Sequence, residues 1–340
     1  MRQGDALVAP DGRRYPIVDG VPRFLAYPPP DDGSAERLRR ALALAPRLGW
    51  RDALAEDMSD PSAVAYVTTP QRAAYVELLP LGPTTRVLEV GCSLGQGTLA
   101  LARRAAFVDA LEVVPEQAAF ARERLRQEGV SNVAVACGGD DCRLPYADER
   151  FDVVVMNLVL EWCGQREPGP FLEAQRRLLA EAARALRPEG VLFVATKNRF
   201  GLPYLLGVAD EHAWQLPFGS SLPRWLLPSF LRATGRPAQP RGRLVSFRRL
   251  STLLHDAGFG AQRAYWAAPD ARYPAAYVPF DGDLAARRAA LPPAALAVRR
   301  RVRWVVPHLP AALLKHVAPS LVVTAMRGPA AARPATRRAA

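Results

Sequence analysis

The chain has no uninterrupted apolar stretch of 18 or more residues and no positively charged start followed by an apolar run. Neither a membrane-spanning helix nor a secretory leader is therefore expected, and the expected location is the cytoplasm. Cysteine is scarce. Cys92, Cys137, Cys142 and Cys163 form no Cys-x-x-Cys pair, which argues against a disulfide framework or a zinc set and predicts buried thiols and no metal. Lysine is almost absent, so that arginine carries nearly all of the positive charge in a chain rich in alanine and proline.

The charge is unevenly placed. Residues 201–340 hold 20 basic and 6 acidic side chains, whereas the first 200 residues hold 25 and 27, and the whole chain of 340 residues carries +12. A basic second half favours anionic partners: a phosphate-bearing substrate, an anionic membrane face or nucleic acid. Arginine-rich composition alone is the competing account.

The stretch around which the chain is organised is residues 86–101. Arg86, Val87, Leu88 and Val90 favour a strand, Gly91 to Gly97 supply a glycine-rich turn, and an Ala/Leu helix pattern begins at Thr98. Strand, glycine turn and helix start make a site where backbone approaches a ligand and free N–H groups meet a polar or anionic group. Glu89 lies inside the strand, where a carboxylate needs a partner such as a ligand ammonium or backbone N–H groups.

Val87-Leu88-Glu89-Val90-Gly91-Cys92-Ser93-Leu94-Gly95 resembles the first motif of class I S-adenosylmethionine-dependent methyltransferases, with Ser93 replacing the middle glycine. Phe107–Val114 resembles the second strand, with Glu112 as the acid for the ribose hydroxyls. Val133–Cys137 followed by Gly138-Gly139-Asp140-Asp141 resembles the third strand, and the resemblance gives adenine recognition to Asp140 or its neighbour Asp141. Leu144-Pro145-Tyr146, Phe151–Asn157 and Arg187-Pro188-Glu189-Gly190 complete the ordered series, with Asn157 counted among the cofactor residues. The resemblance implies a Rossmann-like α/β fold of seven strands with an antiparallel last strand, placed at the sheet edge, and S-adenosylmethionine as cofactor.

Within this frame, residues 1–30 are expected to form a hairpin module and linker, similar to the zinc ribbons that precede some methyltransferases but lacking their cysteines. Residues 31–61 are expected to be helical, 62–327 to form the cofactor domain with insertions at about 200–245 and 275–317, and 328–340 to be a disordered tail. Tyr66 and Tyr75 are candidates for facing the ligand.

The loop after the fifth strand should lie beside the acceptor, because ligands sit at the carboxyl ends of strands in an open parallel sheet. It places Asn198 and Arg199 as acceptor contacts, with Arg272 and Tyr273 further on, and His212 as candidate general base, since imidazole titrates near neutral pH. The run from Asn198 to His212 resembles bacterial methyltransferases of cell-surface polysaccharide or glycolipid synthesis. That implies a small-molecule or lipid-linked glycan acceptor and peripheral contact with an anionic inner-membrane face, aided by basic, Trp-bearing segments at 213–245 and 284–317. Methylation of RNA or a soluble metabolite, and a non-catalytic scaffold, remain the alternatives. The absence of Asn-Pro-Pro-Tyr after the fourth strand counts against nucleic-acid amines. Oligomeric state is not legible.

Overall fold

The computed structural model describes residues 2–28, 34–58, 61–291 and 309–328. Its strands are β1 (Arg2–Gln3), β2 (Ala6–Val8), β3 (Arg14–Val18), β4 (Val21–Pro22), β5 (Arg86–Val90), β6 (Phe107–Glu112), β7 (Val133–Cys137), β8 (Phe151–Asn157), β9 (Leu186–Lys197), β10 (Phe259–Ala268), β11 (Ala276–Pro279) and β12 (Ser320–Arg327). The helices are α1 (Ser34–Leu48), α2 (Trp50–Asp57), α3 (Pro61–Thr68), α4 (Gln96–Ala102), α5 (Pro115–Gln127), α6 (Phe171–Ala185), α7 (Leu202–Leu205), α8 (Leu227–Ala233), α9 (Phe247–Asp256), α10 (Leu284–Ala289) and α11 (Ala311–Val317). None of them is long and apolar enough to cross a membrane.

Eight strands form one mixed sheet in the order β11-β10-β12-β9-β8-β5-β6-β7. Strands β5 to β9 pair in parallel, and β12 runs antiparallel to both β9 and β10. The Rossmann-like sheet expected from the sequence is present with an eighth strand, β11, added at the edge. The expectation that the last strand lies at the edge is corrected, because β12 sits inside the sheet. Leu321, Val322, Val323 and Ala325 are all buried, and a strand covered on both faces belongs in a sheet interior.

Alternation along the strands separates two cores. Leu88, Val154 and Met156 face α6 and α9, whereas Val87, Val153 and Val155 face α4 and the 3-10 turn at Pro70–Leu78. Helix α5, begun by Pro115 at its first position, covers β6 and β7 with Ala118, Ala121 and Leu125. Helices α1 and α2 pack on α5 through Ala41, Trp50, Leu54 and Phe120. All four cysteines are free and buried.

The N-terminal residues fold into a four-stranded antiparallel sheet, β1 to β4. It docks on the outer edge of β7, where Phe24 donates its backbone N–H to Cys137 O at 2.6 Å and Arg23 bridges Cys137 in parallel. This covers an edge strand that would otherwise offer unpaired backbone groups. Arg299–Trp304 and most of the expected tail lie outside the described residues.

Candidate functional site

The carboxyl ends of β5, β6, β7 and β8 open into a cleft of about 440 Å³. Its floor is the turn after β5. Gly91 has φ 76°, and a Cβ there would collide with Val159 Cγ2, so only glycine permits the approach. Ser93 also lines the cleft and holds φ 48°, the left-handed region that a side chain disfavours. Gly95, at φ 80°, heads α4 and packs against Ala121; it shapes the turn without lining the cleft.

Glu112 ends β6 inside the cleft. Its Oε2 accepts the Ser93 N–H at 2.8 Å, while Oε1 accepts those of Val113 and Val114 at 2.8 and 3.0 Å. Burial raises its pKa, and these three N–H groups oppose the shift. With one N–H on Oε2, that oxygen keeps a lone pair for a ligand hydroxyl. Glu89 is also buried, but its partners are neither ligand nor backbone. Tyr75 donates to Oε1 at 3.1 Å and Thr98 to Oε2 at 2.5 Å, and burial pushes the carboxyl up to about 7. Glu89 lines only a small recess beside the cleft, shared with Gly97 and Asn157. Tyr75 belongs to the core, as aromatics at helical spacing more often do, its ring stacked on Phe193 at 4.8 Å.

Asp140 lines the cleft, yet both oxygens are held by the N-terminal module: Ala26 N–H reaches one at 3.0 Å and Tyr27 N–H the other at 2.7 Å. Asp141 does not line it. That carboxylate turns back to accept the Arg143 N–H at 3.0 Å, which corrects the expected role. Asn157 lines both cleft and recess; its Nδ2 donates to Arg72 O at 3.3 Å, and its buried Oδ1 has no partner among the described residues.

The cleft runs on past Asn157 to Glu161, Trp162, Lys197, Glu211 and Arg272. Lys197, Glu211 and Arg272 also border a second cavity of about 370 Å³, lined further by Tyr204, Gln215 and Asp270. Lys197 Nζ bonds Asp210 at 3.0 Å and Glu211 at 2.5 Å, and Arg272 bonds Glu211 at 2.8 Å. The carboxylates and imidazole of Asp210, Glu211 and His212 lie within 4.8 Å of one another, but the Lys197 ammonium already serves the two acids as their cation.

His212 is the main correction. Asp210, Glu211 and His212 stand at a 3-10 turn that directs Glu211 to the cleft and buries its two neighbours. His212 is 2% exposed, its Nδ1 meets Asp210 at 3.1 Å, its ring lies 4.1 Å from that of Trp162, and it lines neither cavity. Glu161 is as deeply buried, but it borders the cleft; His212 borders neither cavity in which an acceptor could stand, so it cannot take the proton directly. Asn198 is likewise consumed by structure. Its Nδ2 donates to His316 O at 2.8 Å and Ala318 O at 2.9 Å, and its Oδ1 accepts from Phe200 N. Arg199 points away from the cleft to Leu222 O at 2.8 Å. Tyr273 stays at the rim, edge-on to the cleft residue Tyr66 at 5.5 Å.

Glu161 escaped the sequence reading, although an acid in the apolar run Leu160-Glu161-Trp162 just past β8 was a usable signal. It is 1% exposed, and its Oε2 has no hydrogen-bond partner among the described residues. Burial raises its pKa, against the pull of the nearby His212 charge. A group of the nucleoside and amino-acid type fits these surroundings. The cleft volume lies in the range of roughly 300–1,000 Å³ usual for small-molecule sites, Glu112 can meet ribose hydroxyls, and the orphaned Asn157 Oδ1 can accept from an ammonium.

The methyltransferase-domain family matches residues 88–194, which span β5 to β9. The malonyl-[acyl-carrier protein] O-methyltransferase of Herminiimonas arsenicoxydans is 32% identical over 151 residues, covering 44% of this chain and 52% of the relative. The biotin biosynthesis bifunctional protein BioHC of Cellvibrio japonicus is 34% identical over 149 residues, 43% of this chain and 26% of the relative. The ubiquinone biosynthesis O-methyltransferase of Xanthomonas campestris pv. campestris is 30% identical over 186 residues, 54% of this chain and 74% of the relative. The chain thus spans about half or less of the first two relatives and about three quarters of the third.

Proposed function

The chain belongs to the class I S-adenosylmethionine-dependent methyltransferases, and on that premise we propose that it methylates an oxygen of a hydroxyl-bearing acceptor, with Glu161 receiving the acceptor proton. The observation that carries this reading is the buried Glu161 carboxylate, which lines the cleft with Oε2 unpartnered. S-adenosylmethionine supplies a methyl group that is already electrophilic, so the chain has to align, exclude water and remove a proton. Glu112 and Asn157 hold the nucleoside and amino-acid ends. Asp140 stands by the adenine end, already tied to the N-terminal module.

The acceptor oxygen gives its proton to the Glu161 carboxylate and forms the new bond to the methyl carbon, while the electron pair of the broken carbon–sulfur bond stays on sulfur. The second cavity, polar with Tyr204, Gln215, Asp270 and Arg272, suits a polyhydroxyl acceptor and supports the sugar or lipid-linked glycan reading. The names of two relatives, both O-methyltransferases, support transfer to oxygen. Calorimetric titration with S-adenosylhomocysteine tests the cofactor site. Wild type binds saturably, and Glu112→Gln weakens binding by about 1 kcal/mol or more, the scale of a lost hydrogen bond to a buried partner. No binding by folded wild type would overturn the reading in favour of a scaffold. Methyl incorporation from labelled cofactor into glycolipid extracts, rather than into RNA, then identifies the acceptor class.

A further inference from the structure

A second cluster of charge lies outside both cavities. Arg199 follows β9, Arg224 and Arg243 belong to the insertion before α9, and Arg249 stands in the first turn of α9. One segment gathers them. Asn198 bridges Val245, and Arg199 donates its backbone N–H to Val245 O at 2.9 Å. Arg224 Nη2 reaches Leu244 O at 2.6 Å, and Ser246 caps the turn that carries Arg249. Arg243 N–H is pinned to Glu161 O at 2.8 Å.

Arg199 and Arg224 donate to backbone carbonyls, and among the described residues none of the four is paired with a carboxylate. The Nε atoms of Arg199 and Arg243 are buried and unpartnered. Burial, then the charges of Arg243, Arg199 and Arg249, brings the Arg224 guanidinium down to about 9; burial and the charges of Arg199 and Arg249 lower Arg243 as well. Half-buried like charges without a counter-ion destabilise a fold. An incoming anion reverses the sign of that contribution.

We propose that Arg199, Arg224, Arg243 and Arg249 form a binding site for a phosphate group. Guanidinium forks match phosphate oxygens bidentately, and several forks gathered around one segment suit a group with three or more oxygens. The same insertion exposes Trp225 (76%) and Phe230 (46%), so a phosphate attached to a lipid has apolar surface beside it. A phospholipid headgroup and a phosphate on a soluble molecule share this chemistry. The site is independent of the methyl-transfer reading.

Thermal melting of the full chain with inorganic phosphate or pyrophosphate, against chloride at equal ionic strength, is the first arm. Phosphate raises the wild-type Tm in a saturable way. Arg243→Gln melts no lower than wild type without phosphate, because a repelling charge is gone, and needs at least ten times more phosphate for the same rise. Arg249→Gln, at an exposed position, gives the same loss of phosphate response should Arg243→Gln fail to fold. Sedimentation with vesicles of phosphatidylglycerol in phosphatidylcholine, against phosphatidylcholine alone, is the second arm. Binding to the anionic vesicles that Arg249→Gln abolishes assigns the phosphate to a lipid, whereas saturation by pyrophosphate without vesicle binding assigns it to a soluble molecule. No phosphate effect beyond chloride, or an undiminished response in both variants, overturns the proposal.

Discussion

The carboxylate of Asp140 accepts the backbone N–H of Tyr27 at 2.7 Å, so a residue lining the cleft is also the anchor of the N-terminal sheet. The neighbouring Ala26 N–H bonds the other oxygen at 3.0 Å, and together they fasten the module to the end of β7. Cleft and appendage therefore share one side chain.

Asp140→Ala leaves two partly buried N–H groups without acceptors, at a cost of about 1–3 kcal/mol each. Hydrogen exchange at Ala26 and Tyr27 should accelerate by tenfold or more, while amides of the central strand β8 keep their protection. Unchanged exchange at the two amides would show that the module is held by other contacts.

Glu89 makes folding sensitive to pH. Its folded-state carboxyl titrates near 7 because burial disfavours the charge, against about 4.3 when exposed. The stabilisation is complete below the unfolded value and is lost as pH rises through 7, amounting to roughly 3–4 kcal/mol across that window. Melting curves of wild type and Glu89→Gln between pH 4.5 and 8 should shift progressively in the variant's favour. A constant difference across the range would contradict the buried, neutral carboxyl.

For Glu161, the expected signature is kinetic. The carboxylate must be ionised to take a proton, so kcat/KM should rise with pH through a pKa above the ordinary carboxylate range. Glu161→Gln should lose that limb and about 10²-fold or more in kcat, with S-adenosylhomocysteine affinity retained. A variant with the wild-type profile would remove Glu161 from proton transfer.

Ser93 occupies left-handed backbone at φ 48°, which disfavours any side chain by about 1–2 kcal/mol. Ser93→Gly should raise Tm by a few degrees, the gain being trimmed by the greater freedom of the unfolded chain. A lower Tm would mean that the Ser93 side chain makes a stabilising contact outweighing the strain.

Asn198→Ala separates a structural role from an acceptor contact. Three hydrogen bonds tie this side chain to His316, Ala318 and Phe200, and their loss should cost about 3 kcal/mol. The variant should melt lower while KM for acceptor in the folded enzyme stays unchanged; a raised KM at unchanged stability would restore the acceptor role.

Local chemistry made much of this protein legible. The strand, glycine turn and helix of residues 86–101, the acid closing β6 and the Gly-Asp after β7 each depend on neighbours in sequence, so Gly91, Ser93, Glu112 and Asp140 were identified as cleft residues from spacing and resemblance alone. The acceptor side was not legible in the same way. Asn198, Arg199 and His212 follow β9 in the expected order, yet the 3-10 turn and the pairing of Asn198 with the chain before β12 decide where each points, and those partners lie up to 120 residues away. Glu161 shows the converse: an acid in an apolar run becomes a cleft residue only because Lys197, Glu211 and Arg272, from other elements, line the same cavity. Sequence determined the elements and the residues at their ends, because those follow from backbone preference and periodicity. Tertiary structure alone decided which side chains face the cleft and which spend their hydrogen bonds on holding it, because that depends on contacts distant in the chain.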